Sequence, residues 1–402
     1  MDVIADGNVC APRGFRAAGA LGGIKAESTK LDVALVASDR IASAAAVYTT
    51  NRVQAAPLHL CREYLQDGKA HAVVLNSGNA NACTGDQGLD NARAMSVQVG
   101  QGLGVRSEDV LVCSTGVIGV QLDMDAVQKG IAGVLSGLQD DGGDAAAVAI
   151  MTTDTKPKTS ALSLKIGDEI VHVGGMSKGS GMIAPNMATM LGVITTDANV
   201  PPDLLREILS LAIKRSFNCI TVDGDMSTND TVIALANGAA GGPPLEPNTS
   251  SSAALAEAIE MVCRDLARQI ARDGEGATKL VSIEVVGAAS EDEARQVGLS
   301  VANSNLVKTA VFGRDPNWGR ILCAMGYAGV PMDPQNVAVY LCDTQIYGSG
   351  SGLPFNHKAL VEAMSAADIP IVIDLASGTA RAEIFTCDLS YDYVRINAEY
   401  TT

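Results

Sequence analysis

The chain has 402 residues, 47% of them hydrophobic, enough to bury a large core in two or three domains or lobes. Its formal net charge of −16 argues against nucleic acid and anionic membrane surfaces as partners, because both select basic patches. It leaves small carboxylate ligands open, since one local Lys or Arg suffices to hold them.

Nine cysteines stand singly, with no Cys-x-x-Cys pair, and there are only four histidines, His59, His71, His172 and His357. Zinc and disulfide frameworks are therefore not expected, and a reduced cytoplasmic setting fits best. The opening Met1-Asp-Val-Ile-Ala-Asp-Gly7 lacks the charged-then-apolar pattern of a leader, and no apolar run is long enough to span a bilayer.

In chain order, Ala72-Val-Val-Leu75 reads as a short buried strand running into the polar block Asn76-Ser-Gly-Asn-Ala-Asn81. Val110-Leu-Val-Cys113 reads the same way and leads into Cys113-Ser-Thr-Gly-Val-Ile-Gly119. A hydroxyl beside a glycine there offers an O–H and a backbone N–H toward one point, although a plain polar turn explains the residues as well. Fixed donors of this kind stabilise an oxyanion, and losing one costs about 2.7–4 kcal/mol of barrier stabilisation. Ile150-Met-Thr-Thr-Asp-Thr155 reads as a strand end whose hydroxyls satisfy local backbone. Leu204, Ile208, Leu211 and Ile213 predict a helix opened by Pro201-Pro202-Asp203, and Gly241–Ser252 is the most linker-like stretch. Leu255, Ile259, Val262, Leu266 and Ile270 predict a second helix ending near Asp273-Gly274. Val281, Ile283 and Val285 alternate as a strand. Tyr347–Gly352 reads as a loose loop, and Tyr393–Thr402 as an apolar-alternating strand docked at the very end of the chain. A mixed α/β protein with much antiparallel pairing is expected.

The most informative stretch is Lys178-Gly-Ser-Gly-Met-Ile-Ala-Pro-Asn-Met-Ala-Thr-Met-Leu-Gly192. A peptide bond before Ser, Thr or Cys is open to attack by that side chain, an N→O acyl shift, and the resulting ester can hydrolyse. Thr189 would then begin a new chain, with its α-amine as general base for its own hydroxyl. Such an amine has an unperturbed pKa of about 7.7–8.0, so a useful fraction is neutral at physiological pH. A bare Ala-Thr pair is ordinarily a core or strand element, Lys178 beside Gly179 an ordinary loop charge, and Glu275 within Asp273-Gly-Glu-Gly-Ala-Thr-Lys279 an ordinary turn acid.

Taken together, these segments resemble the ornithine acetyltransferase family, the bifunctional glutamate N-acetyltransferases of arginine biosynthesis. The likeness runs along nearly the whole chain and includes Asn218–Asp225 with Ser227–Thr231, and Gly313–Arg320, blocks that read equally well as turn and interface scaffolding. The resemblance implies an α/β, N-terminal-nucleophile-like sandwich of sheets and helices. Self-cleavage between Ala188 and Thr189 would give an α chain, 1–188, and a β chain, 189–402, associated as an α2β2 tetramer. It implies Thr189 as nucleophile and Thr115 and Gly116 as the oxyanion site. Thr152 (with Thr153 as the alternative), Lys178, Thr189, Glu275, Asn397 and Thr402 would contact substrate. Lys178 would anchor a carboxylate, and Glu275 would pair with the δ-ammonium of ornithine. The implied reaction moves acetyl from N2-acetyl-L-ornithine to L-glutamate, with no metal or bound organic cofactor. Acetyl-CoA as a second donor stays open.

Three other readings compete. Gly175-Met-Ser-Lys-Gly179 matches a hydrolase nucleophile elbow, but only His357 lies downstream to serve it. Gly179–Ala184 superficially resembles a dinucleotide fingerprint without the βαβ context. A self-processing aminopeptidase or amidohydrolase of related architecture would share the internal nucleophile and release its product to water.

Overall fold

The computed structural model describes residues 1–25, 28–184 and 190–399. Nine strands form the larger sheet: β1 (Asp2–Val3), β2 (Phe15–Ala20), β3 (Val33–Tyr48), β4 (Lys69–Asn79), β5 (Val110–Val117), β6 (Lys158–Ile166), β7 (Glu169–Lys178), β8 (Leu191–Thr196) and β9 (Thr231–Ala236). Their order is β1-β6-β7-β8-β9-β3-β4-β5, with β2 also on β3. A second sheet contains β10 (Leu280–Ala288), β11 (Ala338–Leu341), β12 (Thr344–Gly348), β13 (Ser351–Gly352), β14 (Asp368–Asp374) and β15 (Ala380–Cys387), ordered β13-β12-β11-β14-β10-β15. The pairs β4–β5, β8–β9 and β10–β14 are parallel and the others antiparallel. The mixed α/β architecture of sheets covered by helices is the expected one.

The long strand β3 joins the two halves of the larger sheet. Its first part, Val33–Ala37, pairs with β2 and β4, and Ser43–Tyr48 pairs with β9; the ladder to β4 shifts register between Ala37 and Ala42. Side chains alternate between faces along a strand. Val36, Val73, Leu75 and Leu111 therefore share a core with Met176, Leu191, Val193, Ile233 and Leu235 from the other half, closed by the helix Gly143–Ala149. On the other face, the helices Pro202–Arg215 and Ser250–Arg272 cover β6–β9.

Both of those helices follow from their sequence. Leu204, Leu205, Ile208, Leu209, Ala212 and Ile213 are buried at helical spacing behind a proline in the first turn. Thr249 Oγ1 accepts the Ser252 N–H while Ser252 Oγ accepts the Thr249 N–H, a reciprocal cap that starts the longer helix inside the stretch expected to be linker.

Three expectations are corrected. Ile150–Thr155 follows the helix Gly143–Ala149 and ends no strand. Tyr347–Gly352 is a β12–β13 hairpin, turned by Ser349 and Gly350 at φ 50° and 76°, the left-handed pair that a two-residue hairpin favours. The described part of the expected C-terminal strand lies in a helix, Tyr391–Glu399. Ser390 Oγ accepts the Asp392 N–H at its start, and the half-buried Tyr393 and Ile396 sit at i, i+3, a helical contact. The apparent alternation of Val394, Ile396 and Ala398 carries no sheet face.

Candidate active site

The site forms where strands of the larger sheet end. Across the parallel β4–β5 pair, Asn76 faces Ser114, Ser77 faces Thr115 and Gly78 faces Gly116. Gly116 has φ +132°, and a Cβ there would lie 2.3 Å from the Gly78 carbonyl carbon and 2.5 Å from the Asn79 nitrogen. Only glycine lets the two strand ends approach so closely. Thr115, beside it, is buried. In the neighbouring strands Lys178 pairs with Leu191 and Leu191 with Thr231. The end of β7 and the starts of β8 and β9 are thus level.

Lys178 is 3% exposed and its Nζ lies 3.5 Å from Thr115 Oγ1. Burial lowers the pKa of its ammonium from the ordinary value, opposed chiefly by the Asp154 carboxylate. Thr115, Gly116, Thr152, Thr153, Lys178, Glu275 and Asn397 all line one cleft. The structure therefore brings together residues separated by up to 282 positions, and leaves Thr152 and Thr153 both as lining residues. Ala188, Thr189 and Thr402 lie outside the described residues.

Asp154 organises the cleft wall. One of its oxygens accepts from the Lys158 ammonium at 2.6 Å and from the Gly179 N–H at 2.7 Å, the other from the Thr152 N–H at 3.0 Å. Burial pushes its carboxyl up, but Lys178 and Lys158 outweigh that and bring it to about 2. Lys158, 1% exposed, also donates to Asp273 at 2.6 Å. Asp273 in turn accepts from the Thr155 N–H and hydroxyl. Its backbone carbonyl takes the Ser180 hydroxyl, and the Ser180 carbonyl takes the Glu275 N–H at 2.9 Å. A buried chain of alternating charge therefore ties the Thr152 segment to the Glu275 turn.

Glu275 is nearly buried, and its carboxylate occupies the space that a Cβ on Gly181 would fill, 2.3–2.4 Å away. Asn397, on the C-terminal helix, donates to Glu275 Oε2 at 2.7 Å. The cleft thus offers a buried cation, a carboxylate and a hydroxyl–glycine pair, a set suited to an acylated amino acid. Among the described residues no group of three or more His, Cys, Asp or Glu side chains is placed to hold a metal ion.

Asp154, Lys158 and Asp273 were not singled out from sequence, although Asp154 sits inside the quoted Met-Thr-Thr-Asp-Thr run. Ser227, Thr228 and Asn229, read as scaffolding, also line the cleft. The buried Asn229 amide spans the Ala80 and Ser114 carbonyls at 2.6 and 2.8 Å, which makes it both lining and brace. The elbow reading fails. Ser177 lies within the β7–β8 ladder opposite Gly192, buried in a paired strand with no turn around it. The dinucleotide reading fails as well, because the next element described after Gly179–Ala184 is the strand β8.

Comparison with known proteins gives a consistent picture. Residues 16–402 match the model of the ArgJ family. The chain is 51% identical over 397 residues to the "Arginine biosynthesis bifunctional protein ArgJ" of Symbiobacterium thermophilum, covering 98% of this chain and 99% of that one. It is 46% identical over 403 residues to the protein of the same name from Caldanaerobacter subterraneus subsp. tengcongensis, covering 99% and 100%. A crystal structure of "Arginine biosynthesis bifunctional protein argJ" from Bacillus halodurans aligns with TM-score 0.50 at 42% identity, covering 51% of this chain and 97% of that chain. The cleft and the matched length lead to one conclusion: this chain belongs to the ArgJ family.

Proposed function

We propose that the protein is a self-processing acetyltransferase of arginine biosynthesis, cleaved between Ala188 and Thr189. It moves acetyl from N2-acetyl-L-ornithine to L-glutamate. The observation that carries this reading is the gathering of Thr115, Gly116, Lys178 and Glu275 around one cleft, beside β8. Thr189 precedes Met190, just before the start of that strand.

In the proposed reaction the Thr189 hydroxyl attacks the acetyl carbonyl and gives its proton to its own α-amine. The Thr115 hydroxyl and Gly116 N–H stabilise the tetrahedral oxyanion. The C–N bond breaks, the proton passes to the departing nitrogen, and ornithine leaves. The amine of glutamate then attacks the acetyl-Thr189 ester, the Thr189 oxygen recovers a proton, and N-acetylglutamate departs. Lys178 holds the substrate α-carboxylate, Glu275 faces the δ-ammonium, and Asn397 and Thr402 complete the pocket. Acetyl-CoA as a second donor belongs to the same proposal, as does a cytoplasmic location; no described helix is long and apolar enough to cross a membrane.

Two further observations support processing into associated chains. The Bacillus halodurans chain is almost wholly covered while only about half of this chain is used, as a protein occurring as two pieces would give. In addition, β8 and β9 lie between β7 and β3. A break at 188–189 would leave the 189–402 piece bound on both sides by strands of the 1–188 piece. Two such pairs would make the α2β2 assembly.

Intact-mass measurement of the purified protein tests this. Two masses, split before Thr189, are expected in wild type and a single mass in Thr189→Ala. N2-acetylornithine should add one acetyl group to the 189–402 piece alone, and glutamate should remove it. Loss of that acetyl to water at the same rate without glutamate would identify an amidohydrolase. Labelling by acetyl-CoA decides the second donor.

A further inference from the structure

Besides its lining and bracing residues, the block Asn218–Thr231 carries two aspartates whose placement the acetyl-transfer steps do not explain. Asp223 accepts the Met182 N–H at 2.6 Å and the Ile183 N–H at 2.9 Å, one on each oxygen. Asp230, with no exposure, accepts the Met190 N–H at 2.9 Å. Backbone bonds reinforce both points. The Ile183 carbonyl takes the Val222 N–H at 2.9 Å, and the Met190 carbonyl takes the Thr231 N–H at 3.1 Å. The residues flanking two stretches of equal length, 184–189 and 224–229, are thus pinned to each other, and the first stretch contains the Ala188–Thr189 bond in sequence.

We infer that Asp223 and Asp230 are the two jaws of a clamp that fixes the ends of the processing segment and so sets the rate of self-cleavage. The inference rests on the processing reading above and adds positioning residues to it. Three features favour this role over plain scaffolding. Met182 holds φ +57°, a left-handed conformation without the freedom of glycine. Such a residue is sterically unfavourable and persists only where its surroundings enforce it. Asp223, which holds its N–H, is the enforcing group. Second, starting β8 beside β9 needs only the backbone pairing already present. Burying a carboxyl there is costly, and burial pushes the Asp230 carboxyl well above its usual range. Third, Asp230 Oδ2 completes no hydrogen bond among the described residues, although the Thr49 and Ser227 hydroxyls face the same carboxyl. A purely structural anchor at this depth would be better served by a neutral, fully partnered side chain.

The test follows full-length chain after a short pulse of expression, with intact mass recorded at intervals. Asp223→Ala and Asp230→Ala should each slow appearance of the 189–402 fragment at least tenfold. Asp223→Asn and Asp230→Asn, which keep one acceptor oxygen, should recover part of that loss. The same substitutions placed in Thr189→Ala, which stays whole, separate folding from positioning. Urea unfolding there reports whether the fold forms, and hydrogen exchange at the Met182, Ile183 and Met190 amides should quicken at least tenfold. Cleavage of the alanine variants at the wild-type rate, or unchanged exchange at those three amides, overturns the clamp. A wild-type chain that stays whole while transferring acetyl overturns the processing reading instead, a distinguishable result.

Discussion

In the six-stranded sheet the parallel pair β10–β14 sets Val281 beside Ile369, Ile283 beside Ile371 and Val285 beside Ile373, all within an apolar core. The nine-stranded sheet has an equally apolar interior, but at one end its strands pass into Asn76, Ser77, Ser114, Thr115, Lys178, Asp230 and Thr231, every one buried. Apolar interiors of this kind tolerate exchange of similar volumes. Buried polar ends do not, because each group needs its partner or leaves a desolvation cost of about 1–3 kcal/mol. The second sheet holds a shape, whereas the polar end of the first holds charges, hydroxyls and glycines at fixed separations. Substitutions in the two regions should therefore fail in different ways.

The largest effect is expected at Asp154. Asp154→Leu removes the chief carboxylate opposing the burial of Lys178 and leaves the buried Lys158 with Asp273 alone, and breaking such a group costs about 3–5 kcal/mol, readable as a fall in urea midpoint. The milder Asp154→Asn sharpens the point through pH. The Asp154 carboxyl sits at about 2 in the folded chain, against roughly 3.9 when unfolded. A depressed carboxyl contributes stability that is fully present above about pH 4 and lost as pH falls through 2. Unfolding at intervals between pH 5 and 2 should show a steeper decline in wild type than in Asp154→Asn. Equal slopes would mean that Asp154 is not the group holding the two lysines.

Ile283→Ala tests the other side of the comparison. Ile283 has no exposure, and truncating such a residue costs about 3 kcal/mol through lost transfer energy and the cavity left. Protein that remains folded should carry out the proposed acetyl transfer with wild-type kcat and KM. A changed KM would erase the division between a sheet that shapes and a sheet end that reacts.

Much of this division was legible in the sequence, where it depends on local pattern. The five apolar positions from Leu255 to Ile270 are all buried on one helix face, and β10 alternates as its sequence does. Thr115 and Gly116 stood out because a hydroxyl and a glycine directly follow a strand. The charged brace was not legible. Lys158 meets Asp273 from 115 positions away, and nothing in either local run announces the other. The C-terminal misreading has a physical cause too. Over ten residues, alternating and helical apolar patterns overlap at Ile396, and only the contact of Tyr393 and Ile396 with the body decides between them. At Tyr347–Gly352, glycine and serine suggested looseness, yet those residues supply the left-handed turn of a tight hairpin.

The smallest and most selective effect is expected at Glu275. Its carboxylate rests on Gly181 and accepts the Asn397 amide. Glu275→Gln keeps the shape and one acceptor oxygen for that bond while removing the charge. Stability should change by less than about 1 kcal/mol, since no buried partner loses its only hydrogen bond. The proposed pairing with the δ-ammonium of ornithine would lose a charge-assisted bond of about 1.5–3 kcal/mol, equivalent to roughly 10–100-fold in kcat/KM for N2-acetylornithine. Glutamate carries no side-chain ammonium, so transfer from preformed acetyl-enzyme to glutamate should slow far less. Following the two half-reactions separately, by acetyl gain and acetyl loss on the 189–402 piece, makes the split visible. Equal slowing of both halves would turn Glu275 into a brace for Gly181 and Asn397, and substrate recognition at this end of the cleft would have to come from elsewhere.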